Sequence, residues 1–203
     1  MTQQEAPQAP EAAILDAAAT VFAAHGFAGA RVEAIARAAG LNKAMLYYRV
    51  GDKARLYELT LQAQFEALAR SIEQGTARPG SHAQRLEAVL DAVTEAFQRD
   101  PRLPRIMAWE LASGGSNLPA CVTPLLGRIM GAVAGVAGRA GLDPVLAYFS
   151  LAGPLVLVGL TQPLRARLAR SGQGFPPSAG SAGVADMASY LKTLYRKALG
   201  EDA

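Results

Sequence analysis

The 203-residue chain carries 20 Lys and Arg against 17 Asp and Glu, a formal charge of +3, and about half of it is apolar. That length suffices for one extended or two small domains with real cores, and a single cysteine, Cys121, excludes an intrachain disulfide framework. So small a net charge excludes phosphate binding by overall charge alone, so any such binding needs a concentrated positive patch.

Residues 1–10 are polar and hold neither a basic start nor an apolar run, so no signal peptide is expected; the segment is expected to be disordered and the protein cytoplasmic. Residues 10–25 predict a first helix with Ile14, Leu15, Ala18, Val21 and Phe22 as its buried stripe, stopped by Gly26. His25, at the end of that helix, reads as a capping group favoured by the helix dipole rather than a catalytic or metal-binding one. Over residues 31–39, Val32, Ile35, Ala36 and Ala39 recur at helical spacing. Gly40 suits the left-handed position after a helix, Leu41 packs back under it, and Asn42 is a good N-cap for the next helix. On that next helix Leu46 and Val50 face inward and Gly51 ends it, leaving Lys43, Ala44, Met45, Tyr47, Tyr48 and Arg49 outside. Two short helices joined by a glycine turn, the second bearing small, basic and aromatic residues, form a helix-turn-helix of the kind that enters the major groove. The charges agree: from Arg31 to Arg55 six basic residues stand against two acidic ones, a larger excess than that of the whole chain. The same pattern also fits an ordinary helical pair with a solvated basic face.

The run of Gly26-Phe27, Val32-Glu33-Ala34-Ile35-Ala36, Ala39-Gly40-Leu41, Leu46-Tyr47-Tyr48 and Lys53 with Leu56 resembles the N-terminal domain of the TetR family of transcriptional regulators. The resemblance covers residues 8–68; the remainder matches in length and helical character. It implies an all-α fold: an N-terminal three-helix DNA-binding domain with a helix-turn-helix, then a helical ligand-binding and dimerisation domain over residues 75–203. It also implies a recognition helix over residues 42–49, opened by Asn42, with base contacts from Lys43, Ala44 and Met45. Tyr47 then takes a phosphate or base contact, Tyr48 and Arg49 take backbone contacts, and Lys53 meets phosphate. The chain departs from the family at Ala30, where threonine is usual; a hydroxyl cap and phosphate contact are lost there, and Arg31 offers a charged substitute. Met45 is bulkier than the family's usual residue and suits an apolar contact, such as a thymine methyl.

Asp52 is a suitable cap for a helix over residues 53–74. Leu56, Leu59 and Ala63 on one face, with Leu61, Phe65, Leu68 and Ile72 on another, let that helix touch both the DNA-binding domain and the body behind it. This helix is therefore the candidate lever between ligand and DNA. Residues 75–80 read as a turn and the best domain boundary. Ser81 and Gln84 form a capping box before an amphipathic helix with Leu86, Val89, Leu90, Val93 and Phe97, ended by Asp100-Pro101. A short helix over 105–111 holds the only tryptophan, Trp109, and a further helix spans 120–140 with Leu126, Ile129, Met130, Val133 and Ala137 spaced for burial. Phe97, Met107, Trp109, Met130 and Tyr148 are candidate effector contacts, and all are equally readable as core. Gly127, Gly131 and Gly135 point either to a close helix approach or to tolerated composition; no strand precedes them, so a dinucleotide loop is excluded. Residues 144–164 hold no charge and are followed by Arg165, Arg167 and Arg170, as in a membrane span. They equally suit a helix buried in protein, pairing with a last helix over 186–199 marked by Met187, Tyr190, Leu191, Leu194 and Ala198. The family resemblance implies that these two helices build a four-helix homodimer interface. Residues 171–183 between them read as a flexible loop.

Catalysis has little support: His25 and His82 lie far apart, no nucleophile elbow or phosphate loop occurs, and the acidic residues read as caps or solvated faces. No cofactor and no metal site is expected. The expected function is a homodimeric, ligand-responsive transcriptional regulator, a repressor released from its double-stranded DNA operator by a small, largely apolar or aromatic effector of unknown identity. Its half-sites would lie about 34–36 Å apart. The alternative, supported by Ala30, is a helical small-molecule-binding protein with weak or lost DNA binding. A membrane-attached protein using residues 144–164 is the third possibility.

Overall fold

The computed structural model describes residues 11–171 and 174–201, and among these every regular element is an α-helix. The expected disorder of residues 1–10 lies outside the described residues. Helices α1 (Glu11–Gly29), α2 (Val32–Ala38) and α3 (Lys43–Val50) form the N-terminal unit. Helix α4 (Lys53–Ala77) leads from it into a body of α5 (His82–Arg99), α6 (Leu103–Ala112), α7 (Val122–Arg139), α8 (Pro144–Arg170), α9 (Pro177–Ser181) and α10 (Val184–Ala198).

The N-terminal unit closes on side chains that the periodicity placed inside. Ile14 and Phe22 of α1, Ile35 of α2, Leu46 of α3 and Leu56 of α4 are each at most 1% exposed. Burial of side chains of this size contributes about 1.5–3 kcal/mol each. The predicted stop at Gly26 is a kink instead: at φ 65°, ψ 176° the glycine breaks α1, and the last turn closes through the Ala30 N–H to the Gly26 carbonyl at 3.1 Å. The conformation favours glycine, and so does space, because an added Cβ would lie 3.0 Å from the indole of Trp109.

Helix α4 packs on α1 near its start and on α5 and α7 along its length. It runs three residues into the predicted turn of residues 75–80. Gly75 sits against Ala88, where a Cβ would come within 2.8 Å, and the Thr76 hydroxyl donates to the Ile72 carbonyl, so both belong to a packed helix; the turn itself is residues 78–80. The Ser81–Gln84 capping box and the Asp143 cap of α8 form as expected. Two arginines brace the junction. Arg102 joins the α5–α6 turn to α1 through Asp16 and Thr20, and Arg128 of α7 reaches Glu66 and Glu73 of α4.

Helix α8 is buried on one side only. Leu151 and Leu155 face the core, whereas Leu146, Phe149, Leu157 and Leu164 are exposed. On α10, Leu191 is buried but Tyr190 and Leu194 are not, which corrects their expected place on the buried side within one protomer. Both α1 and α8 are long and apolar enough to cross a membrane by length and composition. The predicted loop over residues 171–183 holds the short helix α9. Arg165 clamps it by donating to the carbonyls of Ala179 and Ala182, contacts between distant residues that local composition does not reveal. A Cβ at Gly127 or Gly131 would meet no neighbouring helix among the described residues, so within the protomer the glycine repeat marks no close helix approach.

The Tyr57 hydroxyl donates to Glu110 Oε1 at 2.7 Å, both residues being buried. Tyr57→Phe should leave that carboxyl without its donor and lower stability by about 1–3 kcal/mol, measurable as a reduced urea midpoint at unchanged m-value.

Candidate nucleic-acid interface and effector cavity

The helix-turn-helix is built by local chemistry. Gly40, at φ 69°, lets the chain leave α2, and the Leu41 N–H returns to the Ala36 carbonyl at 2.8 Å. The Asn42 side chain then accepts from the Met45 N–H at 2.8 Å, fixing the first turn of α3. With Leu46 and Val50 turned into the core, α3 leaves Lys43, Ala44, Tyr47 and Tyr48 exposed, Tyr48 at 92%. Met45 is half-buried and packs partly on the core, and Arg49 is half-buried, so both are less free than the helical pattern suggested. Arg31 is the residue that caps α2; it is exposed and offers no side-chain cap bond, while Ala30 is buried behind it.

Two of the predicted phosphate or base ligands are engaged within the protein. Lys43 Nζ lies 2.6 Å from Glu33 Oε1 and 5.7 Å from the centroid of the Tyr47 ring. The shared hydrogen bond holds Glu33 below the usual carboxylate range and raises the Lys43 ammonium above its ordinary value. Lys53 Nζ stands 4.7 Å over the Phe27 ring and donates to the Ala28 carbonyl at 3.3 Å. Phe27 in turn stacks on Phe22 and lies tilted against Tyr57, with centroids 6.3 and 5.0 Å apart. Arg31, Asn42, Lys43, Ala44, Tyr47, Tyr48 and Lys53 thus cluster around α3 and the starts of α2 and α4.

The body holds a narrow apolar cavity between α4, α5, α7 and α8, with a free volume of about 30 Å³ and a wall of apolar side chains. Phe97, Met107 and Tyr148 line it, together with Phe65, Ile129 and Leu155. Trp109 and Met130 do not, which corrects their expected placement. Trp109 turns toward α1, where its indole N–H donates to the Ala23 carbonyl at 3.2 Å, and Met130 is 39% exposed on the outer side of α7. Burial pushes the Tyr148 hydroxyl pKa up; burial first and then the bond to Glu110 do the same for Tyr57.

Sequence inspection missed Glu110. It is 7% exposed, although acidic residues were expected at caps or on solvated faces. A signal was present: Leu103, Ile106 and Glu110 fall at i, i+3 and i+7 on one helical stripe, which places a carboxylate among core positions. Among the described residues no cluster of three or more His, Cys, Asp or Glu side chains could hold a metal ion.

The profile described as "Bacterial regulatory proteins, tetR family" matches residues 14–59, the segment that forms this interface. The HTH-type transcriptional repressor SCO4008 of Streptomyces coelicolor is 33% identical over 114 residues, 56% of each chain. The HTH-type transcriptional activator FasR of Mycolicibacterium smegmatis is 30% identical over 94 residues, 46% of this chain and 43% of that protein. The chain therefore spans about half the length of the curated relatives it matches. Beyond the N-terminal unit the fold itself is shared: the transcriptional regulator FadR of Bacillus subtilis, crystallised in complex with stearoyl-CoA, superposes with a TM-score of 0.68 over 91% of this chain and 97% of its own, at 16% identity. These relatives are regulators rather than enzymes. The comparisons thus make residues 14–59, which carry the helix-turn-helix, similar to the bacterial regulatory proteins of the tetR family.

Proposed function

We propose that the protein is a cytoplasmic, homodimeric transcriptional repressor that binds double-stranded operator DNA through α3 and is released by a small, largely apolar effector held in the body. The observation that carries this is the division of α3 into a buried face, Leu46 and Val50, and a face left to solvent with Lys43, Ala44, Tyr47 and Tyr48. The DNA-binding domain comprises residues 8–68, of which 8–10 lie outside the described residues, and the effector-binding and dimerisation domain residues 75–203, with α4 running through the boundary. Repression follows the relation to SCO4008, although FasR is named an activator. A shared fold with a regulator crystallised with stearoyl-CoA supports an effector having a long apolar part. Within the DNA-binding set, Asn42 opens and caps the recognition helix, Arg31 and Lys53 address phosphates, Lys43, Ala44 and Met45 reach base edges, Tyr47 takes a phosphate or base contact, and Tyr48 and Arg49 lie on the backbone.

The dimer uses the uncovered stripe of α8, where Leu146, Phe149, Leu157 and Leu164 are 47–69% exposed, and Tyr190 and Leu194 of α10 beside it. An apolar patch of this kind is favourable to bury against a second copy across a two-fold axis, giving the expected four-helix arrangement.

Titration of DNA from the gene's own upstream region, by gel shift at two salt concentrations, tests the reading. Specific binding that falls steeply with salt is expected, because phosphate contacts release counterions. Tyr47→Ala and Lys53→Ala should each weaken binding about tenfold or more and leave the dimer intact; normal DNA binding by both would remove α3 from the interface. Glu33→Ala releases Lys43 from its ion pair, and should raise affinity about three- to tenfold at low salt, with a salt slope steeper by about one. Leu157→Arg should give monomers by sedimentation velocity and abolish the specific gel shift, since one protomer addresses only a half-site. A dimer that binds no genomic fragment in an unbiased selection would favour the alternative, a helical small-molecule-binding protein that has lost its operator. The pairing of Lys43 with Glu33 and the absence of a hydroxyl at Ala30 are the features consistent with it.

A further inference from the structure

Helix α6 carries a carboxylate into the body. Glu110 Oε1 accepts from the Tyr57 hydroxyl, while Oε2 is buried and has no hydrogen-bond partner among the described residues. The residue lines a second, solvent-open chamber of about 330 Å³, walled otherwise by apolar side chains such as Leu61, Ile106 and Leu118. This chamber adjoins the apolar cavity and shares Phe65, Met107, Leu126 and Tyr148 with it. Among the described residues no lysine, arginine or histidine lines either space. A carboxyl oxygen out of water and without a donor is unfavourable, and it becomes favourable when a donor arrives.

We propose that Glu110 is the polar anchor of the effector site, and that the site selects ligands with an extended apolar body ending in a hydrogen-bond donor. An ammonium group suits it best, a hydroxyl next, and a terminal carboxylate is rejected. The inference rests on the reading of the cavity as the effector site. The apolar walls take the body of the ligand, and Glu110 sorts its ends. An ammonium makes a charge-assisted bond to the carboxylate, whereas a second carboxylate meets like charge in a site with no cation to offset it. Because the same carboxyl holds Tyr57, occupancy of the anchor is felt by the aromatic cluster of Phe22, Phe27 and Tyr57 at the base of the DNA-binding unit.

The test is competition on the full-length protein, with N-phenyl-1-naphthylamine as fluorescent reporter of the cavity. The competitors are n-decylamine, decan-1-ol and sodium decanoate, each below its aggregation concentration. The expected order of affinity is decylammonium, then decanol, then decanoate, with about tenfold or more between the first and last. Glu110→Gln keeps the volume and an acceptor for Tyr57, and should bring the amine and the carboxylate to within about threefold of one another. If decanoate competes as well as decylammonium against the unsubstituted protein, the cavity is a ligand site and the anchoring role of Glu110 is overturned. The same holds if Glu110→Gln, shown to be folded by circular dichroism, retains the full preference. If neither the reporter nor any competitor binds, the cavity is not an effector site and both readings fall.

Discussion

The hydrogen bond from Tyr57 to Glu110 is the constraint around which the two halves of the molecule are set. Its donor belongs to the helix that closes the helix-turn-helix unit, and its acceptor belongs to a helix of the body. Both groups are buried, so separating them strands a donor and an acceptor out of water. The ring of Tyr57 is simultaneously packed edge-on against Phe22 at 4.6 Å, so the hydroxyl cannot follow Glu110 without moving the core of the N-terminal unit. Arg102 and Arg128 add charged ties on either side. Helices α1, α4 and α6 are therefore held in one relation, and a change in the cavity wall at Met107 or Glu110 reaches α4 instead of dissipating in a soft joint.

The proposed DNA-facing surface is built differently. Lys43 and Lys53, the lysines nearest the recognition surface, already have partners in the free protein: a carboxylate for one, an aromatic face and a carbonyl for the other. Both arrangements hold long side chains in a few rotamers, which lowers the ordering cost of docking but requires each lysine to exchange one partner for another. The Lys43–Glu33 pair is half-exposed on both sides, so it adds little to stability and is readily exchanged. In the proposed interface specificity falls to neutral groups, Ala44, Met45 and Tyr47, which give up no ion pair on approach to a base edge.

The helix-turn-helix unit was legible in the sequence because its determinants are local. Asn42 and Gly40 act on neighbours within a few residues, and Leu46 and Val50 declare their face by spacing alone. The body was legible as helices but not as a site. Phe97, Met107 and Tyr148 do line the cavity, yet Trp109, one residue from Glu110, turns to α1, and Met130, beside the buried Ile129, turns to solvent. Which way such residues point depends on how helices distant in sequence are rotated, and a stripe wide enough to include both answers cannot decide it. Glu110 shows the opposite case. Its position on the stripe was visible, but its burial depends on Tyr57, fifty-three residues earlier, and no local pattern announces that partner. The apolar run of α8 was ambiguous for a similar reason, since a membrane, a core and a second protomer all ask for the same side chains.

The placement of the only tryptophan has an optical consequence. The Trp109 indole lies against the kink at Gly26, bonded to the Ala23 carbonyl, and is covalently next to Glu110. It is also 46% exposed, so its excited state senses both the α1–α6 contact and the water beside it. Any rearrangement that shifts α6 against α1 changes the polarity around this one chromophore, and with no second indole to dilute the signal the emission maximum belongs to that joint alone. The molecule thus carries a native fluorescent gauge at the place where its two halves meet.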